Sequence, residues 1–307
     1  MQENNISKKV LKNPLTILES EEIFLALKKH WVNNHENLTN PEKFVEEFFA
    51  YLKREKISSQ EIKKYYNKKL KEYRNENLKP EKPGDMFLEI INQELHGVET
   101  VLDFGCGKLA FLKNIAEQNG EIKKLIGVDA KSQPVLDSLD PRIEFARSLV
   151  DIETASVDLA VIKLVLHHLE SEQEALDIFR ELRRVMRPGG KLIVFEESFL
   201  DAVCEAQEIK KYLAKFNLEL SEATEGFLRL SREDRIKFLF LNDWLMNLQN
   251  AYMPWTLQYR SMEEWTTLIQ SVGFQEEESH FLGAIKHRKR KQGMTAILTF
   301  FWQQKKA

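Results

Sequence analysis

The sequence predicts an open α/β sheet preceded by helices and closed by a strand hairpin. Three observations predict it. Short apolar runs alternate with amphipathic stretches from Glu99 onward, a Gly-x-Gly turn follows the first of those runs, and the first 95 residues show helical spacing with no strand alternation. At 307 residues the chain suits one large core with a smaller helical attachment, because single cores stop growing near ~250–300 residues.

The helical attachment comes first. Asn40-Pro41 reads as an N-cap followed by proline at the first helical position, and Phe44, Val45, Phe48, Phe49 and Leu52 then share one face. A second helix is expected from Ser58-Ser59, carrying Tyr65, Tyr66, Leu70 and Tyr73. Lys79-Pro80-Glu81-Lys82-Pro83-Gly84 cannot extend it, since two prolines and a glycine break the backbone ladder. The expected division is therefore a helical cap over 1–83 and a main domain over 84–307.

The expected strands are Thr100–Phe104, Leu125–Asp129, Ile143–Ala146, Val157–Val165 and Lys191–Phe195. Ala175, Leu176, Phe179, Leu182 and Met186 mark a helix that Pro188-Gly189-Gly190 ends before the fifth strand. A helical insertion at about 200–258 carries Phe238, Leu241, Leu245 and Leu248 and an aromatic turn, Tyr252-Met253-Pro254-Trp255. It is too long to lack structure and reads as a lid over the sheet edge. One more helix face (Trp265, Leu268, Ile269, Val272) precedes a hairpin of Phe274–Ile285 and Met294–Trp302.

Composition narrows the class. Hydrophobic residues are 43% and charged residues 30%, as in a folded domain, and a formal charge of −3 gives no field that would draw nucleic acid or an anionic membrane. No apolar stretch approaches the ~20 residues that span a bilayer. The opening Met1-Gln2-Glu3-Asn4-Asn5 lacks signal-peptide order, so a cytoplasmic location is expected. Cys106 and Cys204 are expected as reduced thiols, and with no CxxC or Cys/His cluster no metal is expected.

The chemistry centres on Val101-Leu102-Asp103-Phe104-Gly105-Cys106-Gly107, a buried strand opening into a glycine turn before a helix with Leu109, Leu112 and Ile115. Such a turn brings backbone N–H groups against a ligand. Gly105-Cys106-Gly107-Lys108-Leu109-Ala110 also fits a dinucleotide fingerprint, with Asp129 placed 22 residues after Gly107 as a ribose acid. Asp103 argues the other way, because a carboxylate beside the turn repels a pyrophosphate and pairs with an ammonium group.

With these residues in hand, the chain resembles the class I S-adenosylmethionine-dependent methyltransferases, in particular the branch with ubiquinone/menaquinone-type and small-molecule enzymes. The matching stretches are the glycine turn, Ile126-Gly127-Val128-Asp129, Val157–Ala160 with Val165–Leu169, Arg184–Leu192, and Tyr259–Ser261 through Trp265 to Gly273-Phe274. The resemblance implies a Rossmann-like open sheet of seven strands with the last antiparallel, and S-adenosyl-L-methionine across the carboxyl ends of the first strands.

It also implies roles. Gly105, Cys106 and Gly107 approach the methionine end, Asp103 its ammonium, Asp129 the ribose and Ala130 the adenine face. Ser148 or the backbone of Leu149 takes the adenine contact that an acid often makes in this family. Lys163 and Leu164 follow the fourth strand, Lys163 with its stem packed and its ammonium in solvent. Tyr66 and Tyr73 on the cap match a family habit of closing the methionine end with aromatic rings.

Residues for the acceptor are less defined. His168 in Leu166-His167-His168-Leu169 has the position and ordinary pKa of a general base, or else both histidines merely shape the loop. Glu196-Glu197-Ser198 faces the acceptor or is ordinary strand-end surface. Asp243, Trp244, Tyr252, Trp255 and Tyr259 line an apolar acceptor pocket or form the insertion's own core. The expected partner is a small organic molecule. Two other readings stay open: an RNA or protein methyltransferase using the basic run Lys286–Lys291, for which a charged hairpin tip is the simpler account, and a non-catalytic cofactor-binding scaffold.

Overall fold

The computed structural model describes residues 11–54, 56–76, 86–131, 140–201, 206–248, 255–286 and 294–303, and the statements below concern these. The expected breaker Lys79–Gly84, Cys204, Tyr252–Pro254 and the basic run beyond Lys286 lie outside them.

Nine strands form, seven of them in one sheet. They are β1 (Thr100–Phe104), β2 (Lys124–Val128), β3 (Ile143–Ala146), β4 (Val157–Lys163), β5 (Met186–Glu197), β6 (Glu219–Leu220), β7 (Phe274–Gly283), β8 (Ile285–Lys286) and β9 (Thr295–Trp302). The large sheet runs β3-β2-β1-β4-β5-β9-β7, while β6 pairs with β8 separately. β1 to β5 are parallel, and β9 enters antiparallel to both neighbours, β5 and β7. This is the expected Rossmann-like sheet, closed by a C-terminal hairpin.

The inner strands are apolar on both faces because helices cover both sides: Val101, Leu102, Leu159–Ile162 and Leu192–Phe195 are all buried. β5 starts earlier than its apolar run. Met186 already pairs with Val157, and Arg187–Gly190 then bulge opposite Asp158 before Lys191 pairs with Leu159. Arg187 is ion-paired there with Asp158 at 2.7 Å.

Crossing order reverses between β1, whose next strand β2 lies on one side, and β4 on the other. Ligands of open α/β sheets bind at the carboxyl ends of the strands flanking such a switch point.

The N-terminal region folds as α1 (Glu21–Asn34), α2 (Pro41–Leu52) and α3 (Ser59–Glu72). Ser58 and Glu61 form a reciprocal cap at the start of α3, and the Asn40 side chain accepts from Lys43 N at α2. The segment 206–246 contributes three further helices, Ala206–Ala214, Ala223–Leu228 and Arg232–Met246. The two helical regions share a core. His30 and Phe238 meet edge to face at 5.6 Å, Gly226 sits against Ala26, and Trp31 Nε1 donates to Asn242 Oδ1 at 3.2 Å across 211 positions of sequence. No described helix is long and apolar enough to cross a membrane.

Candidate functional site

The turn after β1 is built from backbone. Gly105 and Gly107 have φ of +76° and +51°, and Leu109 enters the following helix, Ala110–Gln118, at +63°. The N–H groups of Gly105 and Cys106 both donate to Val128 O, at 2.7 and 3.2 Å. A Cβ at position 105 would lie 2.3 Å from Val165 Cγ2, so glycine lets this loop touch the loop after β4. At Gly107 a Cβ would meet no atom within 4 Å. The backbone there faces open space.

Asp129 holds the turn. Its Oδ2 accepts from Gly107 N at 3.0 Å and its Oδ1 from Lys131 N at 2.9 Å. Asp103 is buried at the end of β1, in register between Gly127 and Val161. Burial pushes the Cys106 thiol up, with the Asp103 and Asp129 charges adding, which keeps it neutral and a poor nucleophile. It is a free thiol.

The remaining expected contacts divide. Ala130 is exposed beside Asp129. Ser148 Oγ accepts from Val150 N at 3.2 Å, capping the short turn Leu149–Asp151, and the buried Leu149 gives its carbonyl to Arg184 Nη2 at 2.8 Å. Leu164 is left-handed at φ 57°, its N–H donating to Phe195 O at 2.8 Å, so two non-glycine residues, Leu109 and Leu164, carry backbone strain at this edge.

Lys163 departs from its expected placement. Its ammonium does not simply run to solvent but lies over the Phe87 and Phe111 rings, 5.4 and 5.3 Å from their centroids. Tyr66 and Tyr73 sit in the cap. The Tyr66 hydroxyl is 2.9 Å from His35 Nε2 and its ring meets Trp31 edge to face, with burial pushing the phenol up to about 12. Tyr73 donates to Glu47 Oε1 at 3.0 Å. Their named partners all belong to the cap, and neither ring is brought to the glycine turn by them.

A second constellation lies beyond Val165. Glu196, at the end of β5, is fully buried; its Oε2 accepts from Val165 N and Leu166 N at 3.0 and 2.7 Å, and its Oε1 meets His167 Nδ1. His167 is 2% exposed, and its other nitrogen, Nε2, has no hydrogen-bond partner and faces Asp243 Oδ2 at 3.7 Å. His168 Nε2 is 3.9 Å from the same oxygen. Tyr259 donates to that oxygen at 3.3 Å and stacks on His167, while Asn247 Nδ2 donates to Asp243 Oδ1 at 2.7 Å. Thr256 Oγ1 secures the loop through His167 O at 2.6 Å.

Charge in this cluster is set by burial and by neighbours. Burial works against a charged His167, yet the Glu196 carboxylate overcomes it and holds the imidazole up at about 9. Glu196 stays below the usual carboxylate range despite its burial, because His167 and the backbone N–H groups favour its ionised form. Glu197 is pushed well up by burial, with Asp243 adding, and its buried Oε2 has no hydrogen-bond partner. Asp243 is raised by burial too. Two of these acids were open to a surface reading in the sequence; Glu196 and Glu197 are both buried. Sequence reasoning missed His167 as the more enclosed histidine and Asp243 as its neighbour. His167, His168 and Asp243 bring donor atoms within 4.8 Å of one another.

Trp255 meets His168 edge to face at 6.1 Å, and with Phe240 and Trp244 it lines a cleft of about 450 Å³ shared with Pro14 and Ile57 of the N-terminal region. Trp244 and Trp255 line this cleft, whereas Asp243 and Tyr259 belong to the buried cluster.

The family model described as a methyltransferase domain matches residues 102–194. The matched stretch takes in the glycine turn, Asp129 and both histidines, and stops before Glu196. A curated relative, an uncharacterised 37.1 kDa protein in a transposon of Streptomyces fradiae, is 32% identical over 107 residues, covering 32% of this chain. The match spans only 30% of that relative's length. Similar solved structures include a putative O-methyltransferase from Nostoc punctiforme (17% identity, 69% of this chain and 55% of that one, TM-score 0.45). Human N-acetylserotonin methyltransferase in complex with its methyl donor is 16% identical (70% and 51%, TM-score 0.44). The Burkholderia thailandensis 1,6-didemethyltoxoflavin N1-methyltransferase is also 16% identical (71% and 78%, TM-score 0.44).

Proposed function

We propose that the chain is an S-adenosylmethionine-dependent methyltransferase that methylates a small organic acceptor enclosed by the cap (1–83) and the insertion (200–258). One observation carries this reading. Within the stretch matched by the methyltransferase model, the glycine turn and the loop bearing His167 and His168 touch at Gly105 and Val165, so the backbone turn and a set of acid–base groups share one sheet edge at the switch point.

When bound, S-adenosylmethionine supplies an activated methyl group with a neutral thioether as leaving group. The chain's own task is to hold and to align. Open space before Gly107 admits the amino-acid end, with Asp103 as the partner of its ammonium and Gly105 and Cys106 as the wall. Asp129 accepts from the ribose hydroxyls beside the bonds it takes from Gly107 N and Lys131 N. Ala130 lies against the base, and Ser148 or the backbone of Leu149 completes the adenine side. Lys163, held between its two rings, and Leu164 form the floor. Tyr66 and Tyr73 support the cap from inside and are not assigned to the cofactor.

On the acceptor side, Trp244 and Trp255 supply two aromatic walls of a cleft that Lys12, Asn13 and Ser58 also line, and His168 is the catalytic residue that receives the acceptor's proton as the new bond forms. Alignment in a pocket closed to water accounts for most of such an acceleration, since effective molarities of ~10⁵ M or more arise from positioning alone. Titration calorimetry with S-adenosylhomocysteine tests the reading. Wild type binds one equivalent and Asp129→Ala loses most of the affinity; absence of binding by the wild type refutes it.

A further inference from the structure

We propose that His167, His168 and Asp243 bind a divalent transition-metal ion of the zinc class, at the acceptor end of the cleft. The three donor atoms lie within 4.8 Å of one another, with His167 Nε2 at 3.7 Å and His168 Nε2 at 3.9 Å from Asp243 Oδ2. Bonds of about 2.0–2.2 Å in tetrahedral geometry set ligand separations near ~3.4 Å, so the two His–Asp pairs need close by only a few tenths of an ångström.

The surroundings are those of a ligand set. His167 Nδ1 is engaged by the Glu196 carboxylate, the arrangement that orients metal-ligating histidines, and an ion at Nε2 would displace the proton that Glu196 otherwise holds on the ring. That nitrogen is buried and has no hydrogen-bond partner. Asp243 is fixed in turn, through Asn247 to Oδ1 and Tyr259 to Oδ2. Glu197 Oε2 is a second buried oxygen without a hydrogen-bond partner. Three carboxyls and two imidazoles enclosed together suit a cation better than any uncharged guest. Two nitrogens and one oxygen favour zinc, cobalt, nickel or iron over magnesium or calcium.

The ion's use rests on the methyltransferase reading. With Trp255 against His168, the ion would lie beside the cleft, and a hydroxyl or amine taking its open coordination position would be made more acidic and give up its proton to solvent before methyl transfer. In that loaded form His168 is a ligand and the ion takes over the activation of the acceptor. The site itself does not depend on methyl transfer.

Cobalt(II) is the probe. Tag-free full-length protein, stripped with chelator, is titrated with Co²⁺ and read by its visible ligand-field absorption, then competed with Zn²⁺; S-adenosylhomocysteine binding is measured on the same samples. One equivalent with a four- or five-coordinate spectrum is expected. His168→Gln and Asp243→Asn, checked for native circular dichroism, abolish it, and Glu196→Gln weakens affinity by roughly 10–100-fold. No spectrum in the wild type, or an unchanged one in folded His168→Gln, overturns the proposal. Homocysteine-cofactor binding without cobalt sinks the metal alone, whereas cobalt binding without it sinks the donor assignment and leaves the metal site standing.

Discussion

The two halves of the site are made of different material. Around Gly105–Gly107 the working groups are backbone amides, arranged by positive φ angles and fastened by one carboxylate, Asp129, from the neighbouring strand. Around His167 they are side chains, buried, mutually charged, and drawn from the loop after β4, the end of β5 and the helix Arg232–Met246. A site of backbone tolerates loss of a side chain and fails when its path is bent. A site of buried charges does the reverse, because any member removed leaves its partners unsatisfied.

That contrast is open to measurement, and the largest effect is expected on the charged side. Glu196→Ala strands His167 and the N–H groups of Val165 and Leu166, so denaturant unfolding should show a loss of about 3–5 kcal/mol, as for broken buried pairs. A loss under about 1 kcal/mol would erase the distinction. Gly105→Ala bends the backbone side: unfavourable φ and overlap with Val165 together predict about 3 kcal/mol. Adding Val165→Ala should return 1 kcal/mol or so of coupling in a double-mutant cycle, and strict additivity would show that the two loops do not press on each other.

Next in size, Asp129→Ala is expected to weaken S-adenosylhomocysteine about 100-fold in calorimetry, the loss of one or two hydrogen bonds to a charged group. Cobalt binding should stay within a factor of two or so. Smallest is Tyr66→Phe. It forfeits the bond to His35, about 1 kcal/mol of stability, and leaves cofactor affinity unchanged; a marked drop in affinity would return this ring to the cofactor.

How much of this could be read beforehand follows from the same contrast. The glycine turn and Asp129 are legible because the strand, the turn and the next strand's acid are contiguous units whose spacing is set by one βαβ crossover. Strand limits came within a residue or two for β1, β3 and β9, but β5 was misjudged at its start, where Pro188-Gly189-Gly190 signals an ending while the backbone already pairs at Met186. The acid cluster was hardly visible. Glu196 meets a histidine 29 positions away, and Asp243 lies in Phe238-Leu239-Phe240-Leu241-Asn242-Asp243-Trp244-Leu245, where periodicity reports only the apolar face. The usable signal was contrast: a carboxylate within an otherwise apolar helix, and two more directly after an unbroken apolar strand, need buried partners. Lys163 eluded the reading because nothing local says that Phe87 and Phe111 flank it.

The bond from Trp31 to Asn242 ties the neighbour of Asp243 to the N-terminal helices. Asp243 is thus carried by a helix that packs on Glu21–Asn34, whereas the turn is shaped by the adjacent strands and by Val165. A variant lacking Arg232–Met246 would keep the glycine turn and Asp129 while losing Asp243 and the Asn242 partner of Trp31.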